Sequence, residues 1–345
     1  MSYKQRINWI DWAKSVSMFL VVLGHCHLET SHIATQVIYS FHIPLFYFLS
    51  GLLCSNSFSK RTLLRDIKFI ILPYCFYGTF TIFVHTILSR TFSVHYILAG
   101  LWTLLRSDNA SIGAIWFLPA LFVCKQLFYL IKCVWNGTWQ ASIFLFVVLL
   151  FLPYYISYKS INLPLFADSA LFGLPFFLMG NKSIPFIERW KHKTVHLLII
   201  TTIMLPLTAI LSYYNGFVSI AVCNYGNCLL LYYTNAITGI ATIIGICLLF
   251  NMANRHSIPT FITITSYGTI VILGFHGIIL LFLQYYIPVC FNYYTPTISF
   301  TLAIIYAIIV NIICYTIIII GNHYCPNLLG LKKRIHPKKE GAQSI

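Results

Sequence analysis

The sequence predicts an all-α, polytopic integral membrane protein with about ten transmembrane helices and both termini in the cytoplasm. Of its 345 residues, 59% are hydrophobic and only 8% are charged, and the mean hydropathy is +0.82. A soluble domain carries about 25% charged residues. Apolar stretches long enough to cross a bilayer recur along the chain, and basic residues cluster in the turns between them. These observations favour a membrane protein over any soluble class.

Ten apolar segments, separated by polar or basic turns, are the predicted spans. About 20 apolar residues are needed to cross the hydrocarbon core as a helix. The segments are 9–28, 36–54, 67–88, 114–134, 141–158, 165–180, 194–214, 229–251, 262–288 and 297–321. Segment 89–113 is expected to form a short amphipathic piece on the membrane surface. No internal repeat divides the chain, so we predict one transmembrane domain, 1–321, followed by a basic cytoplasmic tail, 322–345.

The distribution of lysine and arginine orients these spans. With the N-terminus in the cytoplasm, the cytoplasmic segments hold most of the basic residues, and the opposite side keeps Arg90, Arg106 and Lys159. Cytoplasmic loops of membrane proteins carry such an excess, so both termini are predicted inside. The net charge of +15 then follows from the topology. The lipid bilayer is the expected partner, and nucleic acid is not.

The first predicted helix carries a polar stripe within an apolar surface. Lys14 and His25 are eleven positions apart, which is close to three helical turns, so they project from nearly the same face about 16 Å apart. Asp11 lies one turn before Lys14, at a spacing that allows the two charges to pair, and Ser17 and Val21 continue the stripe. A charged side chain inside a span costs roughly 2.5–3.5 kcal/mol, so such residues are usually functional.

The residue types on this stripe suit acid–base chemistry. A histidine such as His25 can take a proton from a hydroxyl near neutral pH. Lys14 could hold a phosphate or carboxylate, or stabilise a developing oxyanion. The alternative is a structural Asp11–Lys14 pair beside a hydrogen-bonded His25. A metal site is not expected, because His25 and His27 face different directions on a helix and no second ligand cluster accompanies them.

Three further polar residues lie in or beside apolar segments. His42 precedes Pro44, which removes a backbone donor and favours a helix start or kink there. His42 is therefore expected at a helix beginning or a break, and such a break often faces a binding cavity. Anchoring at the membrane interface is the alternative. Asp168 lies inside the sixth span and needs a partner or a cavity. His276 lies in the middle of the ninth span between Gly274 and Gly277, which permit close approach.

Two other features of the sequence have alternative interpretations. Arg61, Arg65 and Lys68 could bind an anionic cofactor at the cytoplasmic face, or could reflect the positive-inside bias alone. Among the eleven cysteines, only Cys223 and Cys228 lie close together in a polar turn. They could form a disulfide in an oxidising compartment or remain free thiols.

Several motifs together resemble the membrane-bound acyltransferase-3 family, and in particular its branch of fucose 4-O-acetylase-like sugar acetyltransferases. The motifs are Asp11-x-x-Lys14-(x)10-His25, Phe41-His42-Ile43-Pro44-Leu45-Phe46 with Leu49-Ser50-Gly51, Trp116-Phe117-Leu118, and the basic turn from Lys60-Arg61 to Pro73-Tyr74. The family pattern is Arg-(x)10-His, with the arginine eleven positions before the histidine. Lys14 occupies that position here and lacks the bidentate fork of arginine.

The resemblance implies an O-acyltransferase in a bacterial inner membrane. Acetyl-CoA would be the acyl donor, and the acceptor would be a hydroxyl of a cell-surface or lipid-linked glycan. The predicted catalytic residues are His25 as general base, Lys14 and Asp11; the donor would be bound by Lys14, Arg61 and Arg65, and the acceptor by His42, Trp116, Asp168 and His276. Two alternatives remain: a glycan or proton-coupled transporter, which could use the same intramembrane groups, and a non-catalytic scaffold.

Overall fold

Thirteen α-helices form the part of the chain that the computed structural model describes, residues 7–26, 32–89, 93–106, 110–134, 139–254, 258–286 and 295–331. They are α1 (Asn8–Gly24), α2 (Ile33–Leu53), α3 (Lys60–Asp66), α4 (Leu72–Leu88), α5 (Val94–Arg106), α6 (Phe117–Val134), α7 (Trp139–Tyr158), α8 (Ala167–Trp190), α9 (Thr194–Asn215), α10 (Leu229–Ala253), α11 (Thr260–Tyr267), α12 (Thr269–Tyr286) and α13 (Pro296–Tyr324). No β-strand occurs in these ranges, which confirms the all-α prediction.

Eight segments of the described chain are long and apolar enough to cross a membrane. They are Ile33–Leu53, Lys60–Leu88, Gly113–Val134, Pro164–Trp190, Thr194–Asn215, Leu229–Ala253, Thr269–Tyr286 and Pro296–Tyr324. Two further predicted spans coincide with α1, which has 17 residues, and with α7. The multi-pass membrane fold is therefore confirmed. The count of ten and the sidedness of the termini stay predictions, and Arg90 and most of the basic tail, residues 332–345, lie outside the described ranges.

Helix α2 lies at the centre of the bundle and approaches α8 closely. A Cβ atom on Gly51 would lie 2.0 Å from the carbonyl oxygen of Phe177, and one on Gly180 would lie 2.0 Å from the carbonyl oxygen of Phe48. Small residues let membrane helices approach until their backbones touch. The glycine of the Leu49-Ser50-Gly51 motif is therefore explained by packing.

The expectation that His42 lies at a helix beginning or a break is wrong. Helix α2 continues through Pro44 from Ile33 to Leu53, so His42 lies within the helix and is buried. Membrane helices tolerate proline where neighbouring helices surround the weakened turn. Here Phe41 and Leu45, on either side of His42, are also buried, so packing holds the helix together at this point.

Other departures from the predicted spans lie at helix ends and breaks. The span expected at 262–288 is divided at Gly268 into α11 and α12, and a π-helical turn, Ile67–Ile71, joins α3 to α4. Helix α8 continues past residue 180 to Trp190. The piece expected between residues 89 and 113 contains α5, which is fixed to α4 by a hydrogen bond from the Tyr74 hydroxyl to the carbonyl oxygen of Leu104, at 2.8 Å. Its location at the membrane surface stays a prediction.

Candidate active site

One face of α1 lines two cavities in succession. The residues of this helix and its two caps that line a cavity are Ile7, Ile10, Asp11, Lys14, Met18, Val21 and His25. Apart from the adjacent pair Ile10 and Asp11, they are three or four positions apart, which keeps them on one side. The predicted alignment of Lys14 with His25 therefore holds. Ser17 is turned away: it is buried and donates its hydroxyl to the carbonyl oxygen of Ala13. Met18 takes its place in the cavity wall.

The first cavity, which we call the lysine cavity, has a volume of about 600 Å³ and contains Lys14. Its other charged side chains are Asp11, Arg65, Asp66 and Lys125. The remaining wall is mostly apolar, with Ile10, Met18, Phe46, Leu49, Phe69, Phe117, Leu118, Leu121 and Ile270 among its members. A mostly apolar cavity of this size with a few convergent charged groups is typical of a site for a small organic ligand.

Asp11 connects α1 to the end of α11, beside the break at Gly268. Its Oδ1 accepts a hydrogen bond from the hydroxyl of Ser266 at 2.6 Å, and one turn further along α1 the hydroxyls of Ser15 and Thr265 are 2.5 Å apart. Both hydrogen bonds are buried. They fix the polar stripe against the interrupted helix, so Asp11 has a positioning role in addition to any role in chemistry.

An ion pair between the buried Asp66 and the partly buried Lys125 in the lysine cavity was not predicted from the sequence. Lys125 on α6 donates to Oδ1 of Asp66 at 2.5 Å, and Nε of Arg65 lies 3.7 Å from the same oxygen. Asp66 ends α3, where the π-helical turn begins, and π-helical turns occur frequently at functional sites. One signal was available: Lys125 is a cation inside a predicted span, which is itself a functional indication.

The second cavity, which we call the histidine cavity, has a volume of about 340 Å³ and brings together three of the predicted site residues, His25, His42 and His276. The rings of His25 and His276 stack with their centroids 5.1 Å apart. Tyr39 contacts both His25 and His42. Its hydroxyl is 2.9 Å from Nδ1 of His25, and its ring packs edge-on against the ring of His42 with the centroids 4.9 Å apart. Trp116 also lines this cavity.

Two of these histidines have a defined neutral tautomer. Nδ1 of His42 lies 2.8 Å from the carbonyl oxygen of Ile38, and Nδ1 of His276 lies 2.8 Å from that of Ile272. A carbonyl oxygen only accepts, so each Nδ1 carries the proton and each Nε2 is left as an acceptor. Nε2 of His276 is buried and has no hydrogen-bond partner among the described residues, which leaves it available to a ligand that donates.

Three aliphatic side chains belong to the walls of both cavities. Val21, Ile43 and Leu273 line both, and we call them the septum. They come from α1, α2 and α12, and each lies within one helical turn of a histidine of the second cavity. Lys14 and His25 therefore share a face of α1 and open into different cavities.

The other predicted site residues lie elsewhere. Asp168 lines neither cavity; it begins α8, where its carboxylate accepts from the backbone N–H of Ser169 at 2.8 Å and of Leu163 at 3.4 Å. Arg61 is exposed on α3 and is not among the residues lining the lysine cavity, whereas Arg65 is. Within the described ranges no cluster of histidine, cysteine, aspartate or glutamate could hold a metal ion; His27 and Glu29 lie outside those ranges.

The two cysteines of the loop between α9 and α10 are free thiols in this structure. Cys223 is buried, and burial raises the pKa of its thiol to about 12, whereas Cys228 is exposed. The backbone of Cys223 has a φ of 54°, in a region that non-glycine residues adopt infrequently. The buried position and the turn geometry fit a packing role.

Comparisons with known proteins bear on the chemistry of the two cavities. No curated protein and no solved structure matches this chain. A family model described as an acyltransferase domain, that of acyltransferase family 3, matches residues 7–316. That range includes α1 to α12 and most of α13, and with them the septum and all the residues that line the two cavities except Gly330. By this match over nearly its whole length, the chain belongs to the acyltransferase-3 family of membrane proteins.

Proposed function

We propose that the protein transfers an acetyl group from acetyl-CoA to a hydroxyl of a cell-surface or lipid-linked glycan, as a sugar O-acetyltransferase of a bacterial inner membrane. The observation that carries the proposal is the arrangement of two cavities on either side of a thin aliphatic septum. One cavity carries cations, and the other carries three histidines. A donor and an acceptor that approach from opposite sides would meet at the septum.

The lysine cavity suits the donor. Coenzyme A carries several phosphate charges, and Lys14 and Arg65 line this cavity; Arg61, exposed on α3, adds positive charge nearby. Under the predicted topology this cavity faces the cytoplasm, where acetyl-CoA is made. Lys14 is about 16 Å along the helix from His25, and the two side chains line different cavities. This separation favours donor binding by Lys14 over stabilisation of an oxyanion beside His25.

The histidine cavity suits a hydroxyl-bearing acceptor. Nε2 of His276 is a buried acceptor without a partner among the described residues, and Nε2 of His42 is an acceptor by the same tautomer argument. Sugar hydroxyls can donate to both nitrogens. The indole ring of Trp116 supplies a flat apolar surface against which a sugar ring can pack. Asp168 lines neither cavity, so its predicted contact with the acceptor has no support from the geometry.

Proton transfer is best performed by His25. His42 and His276 are 3% and 1% exposed, whereas His25 is half-buried, and a buried imidazole is costly to charge. His25 would accept the proton of the acceptor hydroxyl while the oxygen attacks the thioester carbonyl carbon. The new C–O bond forms as the C–S bond breaks, and the thiolate of coenzyme A leaves towards the lysine cavity. The proton on His25 is then released to the thiolate, which regenerates the base.

The proposal is tested with membrane vesicles that contain the protein, radiolabelled acetyl-CoA and a mixed glycan extract. We expect label in base-labile glycan ester with the wild type and with His85→Ala, an exposed histidine outside both cavities. We expect none with His25→Ala at matched protein levels. Full transfer by His25→Ala would overturn the assignment of the base. Uptake of unmodified glycan without acyl-CoA would instead favour a transporter.

A further inference from the structure

We propose that Asp66 binds the pantetheine arm of the acyl donor, by accepting a hydrogen bond from one of its amide N–H groups, and that Lys125 holds the carboxylate in place for this contact. This inference rests on the proposed function, because it assigns a part of the donor to a part of the lysine cavity. It concerns two residues that the sequence motifs did not indicate.

The first observation is an unsatisfied oxygen in the cavity wall. Asp66 is 3% exposed, and its Oδ1 is engaged by Lys125 at 2.5 Å. Its Oδ2 is buried and has no hydrogen-bond partner among the described residues. Buried polar atoms in proteins nearly always have a partner, and a carboxylate oxygen without one is costly. Since Asp66 lines the lysine cavity, a ligand bound there can supply the missing donor.

The second observation is the order of the charged groups by depth. The side chain of Arg65 is 44% exposed, that of Lys125 is 13% exposed and that of Asp66 is 4% exposed. The septum is the part of its wall that the lysine cavity shares with the histidine cavity. A ligand that extends from the exposed arginine to the septum therefore meets a cation first, then the buried carboxylate, then aliphatic side chains. Acetyl-CoA has the same order of groups: phosphates, a chain with two amides, and a thioester.

The chemistry of Asp66 selects the amide-containing part of the donor. An ionised carboxylate only accepts hydrogen bonds, and it repels phosphate. The ammonium of Lys125 is already engaged by Oδ1, so this pair adds little net positive charge for a phosphate to bind. The groups of coenzyme A that can donate at this depth are the N–H groups of the pantetheine arm. A hydrogen bond to a charged acceptor is stronger than one between neutral groups, so a single contact can fix the arm.

The test measures binding to the purified full-length protein in detergent, with two probes. Coenzyme A contains the phosphates and the arm; pantetheine contains the arm without phosphates. We expect Asp66→Asn to weaken both probes by the same factor of about 10, and Arg65→Gln to weaken coenzyme A alone. The matched control is Glu188→Gln, which also removes an acidic partner of a lysine, Lys191, but lies outside both cavities. It should change neither affinity.

Each result supports or contradicts the assignment. Unchanged pantetheine binding by Asp66→Asn overturns it, and a loss confined to coenzyme A overturns it in favour of an indirect effect through Arg65. If Asp66→Asn leaves Lys125 unpaired and misfolds, the double variant Asp66→Asn, Lys125→Gln removes both charges. Its thermal melting without ligand verifies folding, and wild-type affinity for pantetheine in that folded variant also overturns the proposal.

The outcome is distinguishable from failure of the proposed function. Pantetheine binding that depends on Asp66, in a protein that forms no glycan ester in vesicles, would support this inference and contradict the transferase proposal. Absence of binding of either probe to the wild type at millimolar concentration would overturn this inference. If the protein then forms glycan ester from another acyl donor, the transferase activity is still supported, although this inference is not.

Discussion

Replacing Tyr39 with phenylalanine tests whether His25 needs its tyrosine partner for catalysis. The substitution removes the hydroxyl 2.9 Å from Nδ1 of His25 and keeps the ring that packs against His42 and Phe217. If Nε2 of His25 is the base, Nδ1 carries the proton and donates to the tyrosine oxygen. One hydrogen bond contributes about 0.5–1.5 kcal/mol net, so we expect kcat to fall about 2- to 10-fold.

The assay is initial-rate acetyl transfer in vesicles over a range of acetyl-CoA concentrations up to saturation, with the matched control Tyr96→Phe. Tyr96 makes the same contact with His85, also at 2.9 Å, in an exposed position outside both cavities. We expect the control to retain wild-type kcat. We also expect KM for acetyl-CoA to be unchanged in Tyr39→Phe, because Tyr39 does not line the lysine cavity. A wild-type kcat in Tyr39→Phe, or a changed KM for acetyl-CoA with an unchanged kcat, would refute the reasoning.

Three further outcomes are expected. Ile43→Trp should fill the septum and reduce transfer at least 100-fold with donor affinity unchanged, measured by binding and transfer in parallel; Ile43→Leu, which conserves volume, should stay within about threefold. Gly180→Ala should lower the thermal melting temperature in detergent, because its methyl group would lie 2.0 Å from the carbonyl oxygen of Phe48, and an unchanged melting temperature would contradict the close packing. At pH 8 a maleimide should modify Cys228 long before Cys223, measured by peptide mass spectrometry, because the raised pKa of Cys223 leaves about 10⁴-fold less thiolate than thiol.

The sequence was sufficient for features that depend on local periodicity. The ten apolar segments correspond to the observed helices or helix pairs, and the eleven-residue spacing placed Lys14 and His25 on the same face of α1. Periodicity also predicted that the stripe continues to Val21. Between Lys14 and Val21, however, helical spacing allows either position 17 or position 18 to face the cavity. Met18, and not Ser17, faces it because the Ser17 hydroxyl is satisfied by its own helix.

The features that the sequence did not predict depend on contacts between distant segments. Asp66 and Lys125 are 59 residues apart and meet only because the π-helical turn that follows α3 packs against α6. Tyr39 was not singled out, although one hydrogen bond places it beside His25. The missing backbone donor of Pro44 predicted a break in α2. The helix is continuous there because its buried neighbours pack around it. Each case depends on packing between segments, which the sequence of a single segment does not reveal.

The identity of the septum residues bears on whether the acyl group passes directly to the acceptor. A covalent relay needs a nucleophile that the donor can reach from the lysine cavity and the acceptor from the histidine cavity. The three described residues that line both cavities, Val21, Ile43 and Leu273, have aliphatic side chains and no group that can carry an acyl ester. Formation of an acyl-histidine at His25 would require the thioester to pass the septum first. Once the thioester has passed, the acceptor hydroxyl can attack it directly, without a covalent intermediate. Under the proposed function, direct transfer therefore needs one passage and one reaction step, fewer than a relay through His25.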